Sequence, residues 1–168
     1  MDELFRITVQ FLHVFSAILW IGGGLYTLFV QTPALLAAPP AARGPVLAQL
    51  APRQIGYLLR VAEVTIATGV LNVFATGRAR QFEDPFAQRW TIVLGVGILL
   101  ALALYGLTRG RIVPSVTRLL VLGPKAAGGD AAAASEMTAI IARLRRIGYA
   151  QIALGVLIVL AMVTARLS

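Results

Sequence analysis

The chain of 168 residues has no cysteine, one histidine and only seven acidic residues. Without cysteine it can form neither a disulfide scaffold nor a thiolate-ligated zinc or iron–sulfur site. Charged residues make up 13% of the chain and hydrophobic residues 58%, whereas soluble domains have about 25% and about 45–50%. Too little polar surface remains to cover a water-exposed globule. The composition therefore excludes an ordinary soluble enzyme and intrinsic disorder, and indicates an integral membrane protein.

Several kinds of catalytic and binding motif are also missing. The sequence contains no Walker loop, no Ser-His-Asp set and no HExxH motif. With one histidine and no cysteine, it cannot form a dense cluster of copper ligands. The net charge of +8 comes mostly from arginines that flank apolar stretches, with no basic stripe interleaved with aromatics. We therefore predict the lipid bilayer as partner, and no nucleic acid.

Four apolar stretches are long enough to cross a bilayer, which takes about 20 residues. They cover about residues 5–30, 55–76, 90–107 and 147–165. Because polar and apolar residues do not alternate within them, the stretches predict helices rather than barrel strands. We expect the first to stay as a span, since it is too long for the core of a signal peptide. The sequence thus predicts an all-α, four-helix membrane bundle, with residues 1–168 as a single domain.

Proline and glycine separate the predicted spans and are typical of loops. The residues interpreted as loop residues are Pro33, Pro39, Pro40, Gly44, Pro45, Pro52, Gly77, Pro85, Gly123, Pro124, Gly128 and Gly129. Asp130 is the predicted N-cap of a long fourth helix that begins well before the membrane. The third helix is predicted to continue past the bilayer, with Pro114 marking a bend or a restart. The segment 111–122 is amphipathic enough to lie on the membrane surface.

The distribution of basic residues predicts the orientation. Five lie on the side of the two termini: Arg6, Arg78, Arg80, Arg89 and Arg166. Ten lie in or next to the first and third loops: Arg43, Arg53, Arg60, Arg109, Arg111, Arg118, Lys125, Arg143, Arg145 and Arg146. Because positively charged loops stay inside, we predict both termini outside. The third and fourth helices would then extend into the cytoplasm.

His13 is the most informative polar residue within the predicted spans. It lies on a stripe of the first helix, at helical spacing, with Arg6, Gln10, Trp20 and Gly24. Such a stripe predicts a face turned to the bundle interior. A neutral imidazole there can ligate haem iron or copper, or relay a proton. The alternative is a hydrogen bond to a neighbouring helix that serves packing only.

Other residues are predicted to surround His13. If the first two helices are antiparallel, Asn72 lies at the depth of His13, in an outer polar layer. Gly23 and Gly24 allow either a neighbouring helix or a flat ligand to approach closely.

Arg60 and Glu63 are charged residues inside the second predicted span. Their spacing of three residues predicts an ion pair on one helix face, which lowers the cost of burying both charges. With Gln151 they form an inner polar layer. The pair is interpreted as structural, or as a step in transport.

Three segments resemble the copper-resistance D (CopD) family of membrane proteins. They are Phe11–His13 with Leu19–Gly23, Thr108–Pro114, and Leu144–Arg146. The wider group includes the HemJ-type protoporphyrinogen oxidases, which share a four-helix plan, a histidine in the first helix and a proposed haem association. Family members carry a lysine in the third helix, where this chain has about Leu94.

The resemblance implies a protein of the bacterial inner membrane with haem b or copper as cofactor. His13 would be the ligand, and Trp20, Gly23, Gly24 and Asn72 would line the cofactor site. Because the lysine is missing, a non-catalytic accessory or redox role is favoured over porphyrinogen oxidation. Two alternatives remain: copper transport across the inner membrane, and a ligand-free structural subunit of a larger membrane complex. Homo-oligomers and other membrane subunits are the protein partners consistent with these roles.

Overall fold

A computed structural model describes residues 3–77 and 88–167, and this part of the chain contains helices and no strand. The helices are α1 Glu3–Tyr26, α2 Thr32–Ala37, α3 Pro40–Ala75, α4 Arg89–Leu107, α5 Val113–Ala127 and α6 Ala131–Leu167. Two π-helical turns, π1 Thr27–Gln31 and π2 Thr108–Ile112, join α1 to α2 and α4 to α5. Arg78, Arg80 and Pro85, used in the predictions above, lie outside the described residues.

Four of these helical segments are long and apolar enough to cross a membrane, as the sequence predicts. They run alternately up and down. The α1 helix packs along α3, α4 and α5 pack along α6, and contacts of α1 with α6 and of α3 with α4 and α5 join the two pairs. The result is an antiparallel four-helix bundle.

The prediction that prolines keep the first loop open is wrong. Helix α3 begins at Pro40, about 15 residues before the predicted second span, and carries Pro45 and Pro52 inside it. Pro40 is tolerated because the first turn of a helix has no use for its N–H. The other two prolines each remove one backbone hydrogen bond, but the helix continues through both.

The two π-helical turns interrupt the regular α-helical hydrogen bonding of the first and third spans. Pro33 lies at the start of α2, directly after π1. Pro114 lies at the start of α5, directly after π2. A π-turn lets a helix absorb an irregularity without ending. The third span therefore continues past Leu107, as predicted, through a π-helical turn just before Pro114, and a bend at Pro114 stays a prediction.

The third loop is shorter than predicted, because α5 runs through Gly123 and Pro124 to Ala127. The turn itself is Gly128 and Gly129, and Gly129 has a φ of 94° that favours glycine. Asp130 then caps α6: its Oδ1 accepts a hydrogen bond from the backbone N–H of Ala133 at 3.0 Å. The predicted N-cap is confirmed.

The apolar side of α5 is covered by protein rather than being free to lie on a lipid surface. Leu119 and Leu122 are buried, and α5 packs against α6 and α3. On its exposed side, Arg118 donates two hydrogen bonds to the carboxylate of Glu136 on α6.

The two helix pairs meet around Trp20. This side chain is 7% exposed and packs in one cluster with Ala62 of α3, Leu104 of α4 and Ile158 of α6. All four long helices thus contribute to one apolar cluster, which we call the Trp20 cluster.

Candidate site around His13

His13, on the stripe of α1 predicted to face the bundle interior, is half-buried and faces α3. Its Nδ1 lies 2.9 Å from the backbone carbonyl oxygen of Thr65. Because a carbonyl only accepts hydrogen bonds, Nδ1 carries the proton and donates it. In the neutral ring Nε2 is then the unprotonated nitrogen, and no described residue hydrogen-bonds to it. This tautomer leaves Nε2 free to bind a metal or accept a proton.

Gly69 makes the room for the imidazole. A Cβ atom at position 69 would lie 2.9 Å from Cε1 and 3.2 Å from Nδ1 of His13. Real Cβ atoms do not approach other atoms so closely, so a larger residue here would displace the ring. Sequence reasoning missed this glycine, although a glycine on the helix predicted to face His13 was the available signal.

Gln10 and Asn72 form a second contact between α1 and α3, one turn further toward the termini. The Asn72 Nδ2 donates to Gln10 Oε1 at 2.7 Å. The prediction that Asn72 lies near the depth of His13 is confirmed by this register. Asn72 Oδ1 is buried and finds no partner among the described residues. The His13 layer thus contains two unsatisfied acceptors, Nε2 of His13 and Oδ1 of Asn72.

This layer is less tightly closed than the Trp20 cluster. Gln10, His13, Gly69 and Asn72 are half-buried, whereas the members of the Trp20 cluster are buried. The side chains of the His13 layer are therefore more accessible than those around Trp20.

The other residues assigned to a cofactor site lie elsewhere. Trp20 packs in the apolar cluster described above, two turns from His13. Gly23 packs against α3, where a Cβ would lie 2.6 Å from Leu58 Cδ2. Gly24 is exposed and a Cβ there would meet nothing within 4 Å. Of the five predicted residues, His13 and Asn72 lie on adjoining turns of the α1–α3 contact, where they bond to Thr65 and Gln10.

The predicted ion pair of Arg60 with Glu63 does not form. Within residues 3–77 and 88–167, Arg118 with Glu136 is the one ion pair. Glu63 instead accepts a hydrogen bond from the hydroxyl of Tyr105 on α4 at 2.8 Å. The cause lies in the tertiary structure, because α4 lies next to Glu63 and supplies the Tyr105 hydroxyl as a donor. Gln151, expected in the same layer, donates to Thr108 Oγ1 at 2.8 Å.

A third polar contact of the first span with α3, made by residues of π1, was not predicted. Gln54 and Gln31 donate to each other through their side-chain amides, at 2.7 Å and 2.6 Å, and Gln54 also donates to Thr27. Thr27 and Gln31 are the first and last residues of π1. The π-turn sets which residues of this segment face α3, and a regular helical period cannot anticipate that.

The donor set around His13 can supply one imidazole nitrogen and one amide oxygen. The described residues contain no group of three or more His, Cys, Asp or Glu that could hold a metal ion. A single axial nitrogen is sufficient for haem iron, whereas copper sites in proteins use several ligands. The residues present therefore fit haem at one axial position and do not fit a protein-enclosed copper site.

Comparison of the chain with protein-family models, with curated proteins and with solved structures found no match.

Proposed function

We propose that this protein is a non-catalytic, haem b-associated accessory or redox protein of the bacterial inner membrane, similar to the CopD family. His13 would offer Nε2 as an axial ligand, and a bound haem would supply one-electron redox chemistry. The observation that carries the proposal is the hydrogen bond from Nδ1 to the Thr65 carbonyl. Such an outer partner is typical of metal-bound histidines, because it orients the ring and leaves the other nitrogen unprotonated.

The surroundings of His13 decide where a haem can lie. Gly69 contacts one face of the ring, and the Trp20 cluster fills the bundle interior two turns away. A large flat ring therefore has no space in the centre of one subunit. We place the haem at the half-buried edge of the His13 layer, where a second subunit could cover it.

An absorbance spectrum of the detergent-purified chain, oxidised and reduced, tests the proposal directly. We expect a Soret band that is lost in His13→Ala. His13→Gln is the matched variant, because its amide can still donate to the Thr65 carbonyl but is a poor haem ligand. Loss of the band in both variants, with helical content unchanged, supports ligation. Full haem occupancy in His13→Ala, or a colourless wild-type protein, overturns it.

Copper transport is the second candidate, and the spacing of the polar groups counts against it. The His13 layer and the Glu63–Tyr105 contact are separated by buried apolar side chains of the Trp20 cluster, so the described residues offer no continuous polar path. Transport predicts that Glu63→Gln lowers copper accumulation in cells. We expect unchanged accumulation. If the wild-type protein is colourless and free of copper, and His13→Gln is as stable as wild type, the remaining candidate is a ligand-free subunit of a larger membrane complex.

The orientation proposed for the chain is with both termini outside, because ten of its 15 basic residues lie in or next to the first and third loops. A reporter that is active only outside the inner membrane, fused after Ser168, should be active. Activity of a reporter restricted to the cytoplasm at the same position would reverse the orientation.

A further inference from the structure

Three contacts fix one level of the bundle: Gln54 with Thr27, Gly148 with Leu28, and Gln151 with Thr108. Exposed arginine and tyrosine side chains surround the bundle near this level, and we call them the arginine–tyrosine belt: Tyr26, Arg53, Tyr57, Arg109, Arg145, Arg146 and Tyr149. Such belts are typical of the lipid–water interface. Helix α4 reaches this level from Arg89 after 19 residues, which is about 29 Å. That length matches a hydrocarbon core of about 30 Å.

A cleft of about 390 Å³ opens beside this belt, on the outward face of α3. It is lined by Pro52, Arg53, Gly56, Tyr57, Arg60 and Val61. Gly56 and Pro52 add little bulk and leave a recess in the helix surface. The exposed side chains of Arg53, Tyr57 and Arg60 flank it.

The arginines of the cleft form no ion pair with the described residues. Arg53 Nη1 donates to the backbone carbonyl and the side-chain oxygen of Gln49, at 2.6 Å and 2.9 Å, and both acceptors are neutral. Arg60 has no ion-pair partner in the described part of the chain. The nearest carboxylate along the helix, Glu63, is engaged by Tyr105.

The direction of α3 brings these charges to the interface. Side chains of a helix lean toward its N-terminus, and the N-terminal half of α3 lies on the belt side. Arg60 is therefore oriented to extend its guanidinium toward Tyr57 and Arg53, away from the centre of the bilayer. Two guanidinium groups and a phenol thus flank one recess at the depth of lipid headgroups.

We propose that this cleft is a binding site for an anionic phospholipid, whose headgroup phosphate is held by Arg53 and Arg60. Guanidinium groups match phosphate oxygens in charge and geometry, and the Tyr57 hydroxyl adds a donor. The acyl chains would lie along the apolar surface of α3 that continues toward the bilayer centre through Val64, which is exposed. The charge and depth of the cleft favour a lipid over a soluble anion.

Native mass spectrometry of the detergent-solubilised chain, titrated with phosphatidylglycerol or phosphatidylcholine, tests this site. We expect preferential retention of phosphatidylglycerol. Each of Arg53→Gln and Arg60→Gln should weaken its apparent affinity roughly fivefold, and the double variant by about 25-fold. Arg145→Gln is the matched control, because it removes the same charge from the same belt outside the cleft and should have little effect.

Three results would overturn the site. They are equal weakening in Arg145→Gln, equal retention of phosphatidylcholine, and displacement of the lipid by inorganic phosphate at similar concentration. Arg60→Lys guards against misfolding, since it keeps the charge and should retain most of the preference for phosphatidylglycerol. Unfolding midpoints of all variants, measured in lipid-free detergent, separate loss of lipid from loss of fold.

Discussion

The contact of α1 with α3 and the contact of α4 with α6 differ in chemistry, although both join antiparallel helices of one bundle. Polar side chains hold α1 and the following π1 turn to α3 at three levels, through Gln10, His13 and Gln54. Where α6 meets the end of α4, Gln151 donates a hydrogen bond to Thr108, and further along the two helices Gly97 packs against Met162. In lipid no hydrophobic effect drives helices together, so close packing and hydrogen bonds must do so. The α1–α3 contact relies more on hydrogen bonds between side chains, and the α4–α6 contact relies more on close packing.

The difference also separates candidate function from structure. A polar contact inside a bilayer is costly to maintain unless each group is satisfied. The α1–α3 contact leaves His13 Nε2 and Asn72 Oδ1 without partners among the residues described. The α4–α6 pair is mainly apolar, although the buried hydroxyl of Thr91 on α4 also finds no partner among the described residues. We expect a metal or cofactor beside the α1–α3 contact, because the one imidazole of the chain lies there.

The largest difference in stability between the two contacts is expected when Gly69 and Gly97 are each replaced by alanine. In Gly69→Ala the new Cβ meets the His13 ring, which is tethered by its bond to Thr65. We expect the free energy of unfolding to fall by about 1–3 kcal/mol. In Gly97→Ala the Cβ would lie 2.6 Å from Met162 Cε, the end of a flexible chain, and the better helix propensity of alanine offsets the shift. Titration with SDS in mixed micelles measures both, and equal losses would contradict the distinction.

Leucine at the two glutamines tests the polar side of the comparison. Gln54→Leu removes the bonds to Thr27 and Gln31 and leaves the Gln31 amide unpaired, so a loss of about 1–2 kcal/mol is expected. Gln151→Leu removes one bond to Thr108, for an expected loss of about 0.6 kcal/mol. The same SDS titration compares them. A larger loss in Gln151→Leu would show that the α4–α6 contact depends more on its polar pair than its geometry indicates.

A double-mutant cycle with leucine at Gln10 and Asn72 isolates a single polar pair of the α1–α3 contact. The coupling energy should be about 0.6 kcal/mol, the average for hydrogen bonds between membrane helices. Gln10→Leu alone should cost more than the double variant, because it leaves both polar atoms of the Asn72 amide without a side-chain partner. Additive losses would indicate that the hydrogen bond contributes nothing to the contact.

Much of the architecture follows from the sequence. Four apolar stretches predict four spanning helices because a helix satisfies its backbone groups without water. The helical period of α1 predicted that His13 faces other helices rather than lipid, and Asp130 predicted the start of α6. The prolines of the first loop did not predict where α3 begins, and the spacing of Arg60 and Glu63 did not predict the partner of Glu63. Pro45 and Pro52 lie inside α3, since a helix supported by neighbours tolerates the loss of single bonds, and α4 supplied Glu63 with a closer partner than Arg60 did.

The sequence by itself determined that this protein has four helical segments long and apolar enough to cross a membrane, and that its one imidazole shares a face of the first helix with other polar residues, because those properties depend on composition and helical period alone. The tertiary structure decided which atoms the imidazole meets, that Gly69 accommodates it, and that Trp20 closes the core instead of lining a site. It also decided that Arg53 and Arg60 flank one cleft. These outcomes depend on helix register, which π1 shifts and which contacts between distant segments fix.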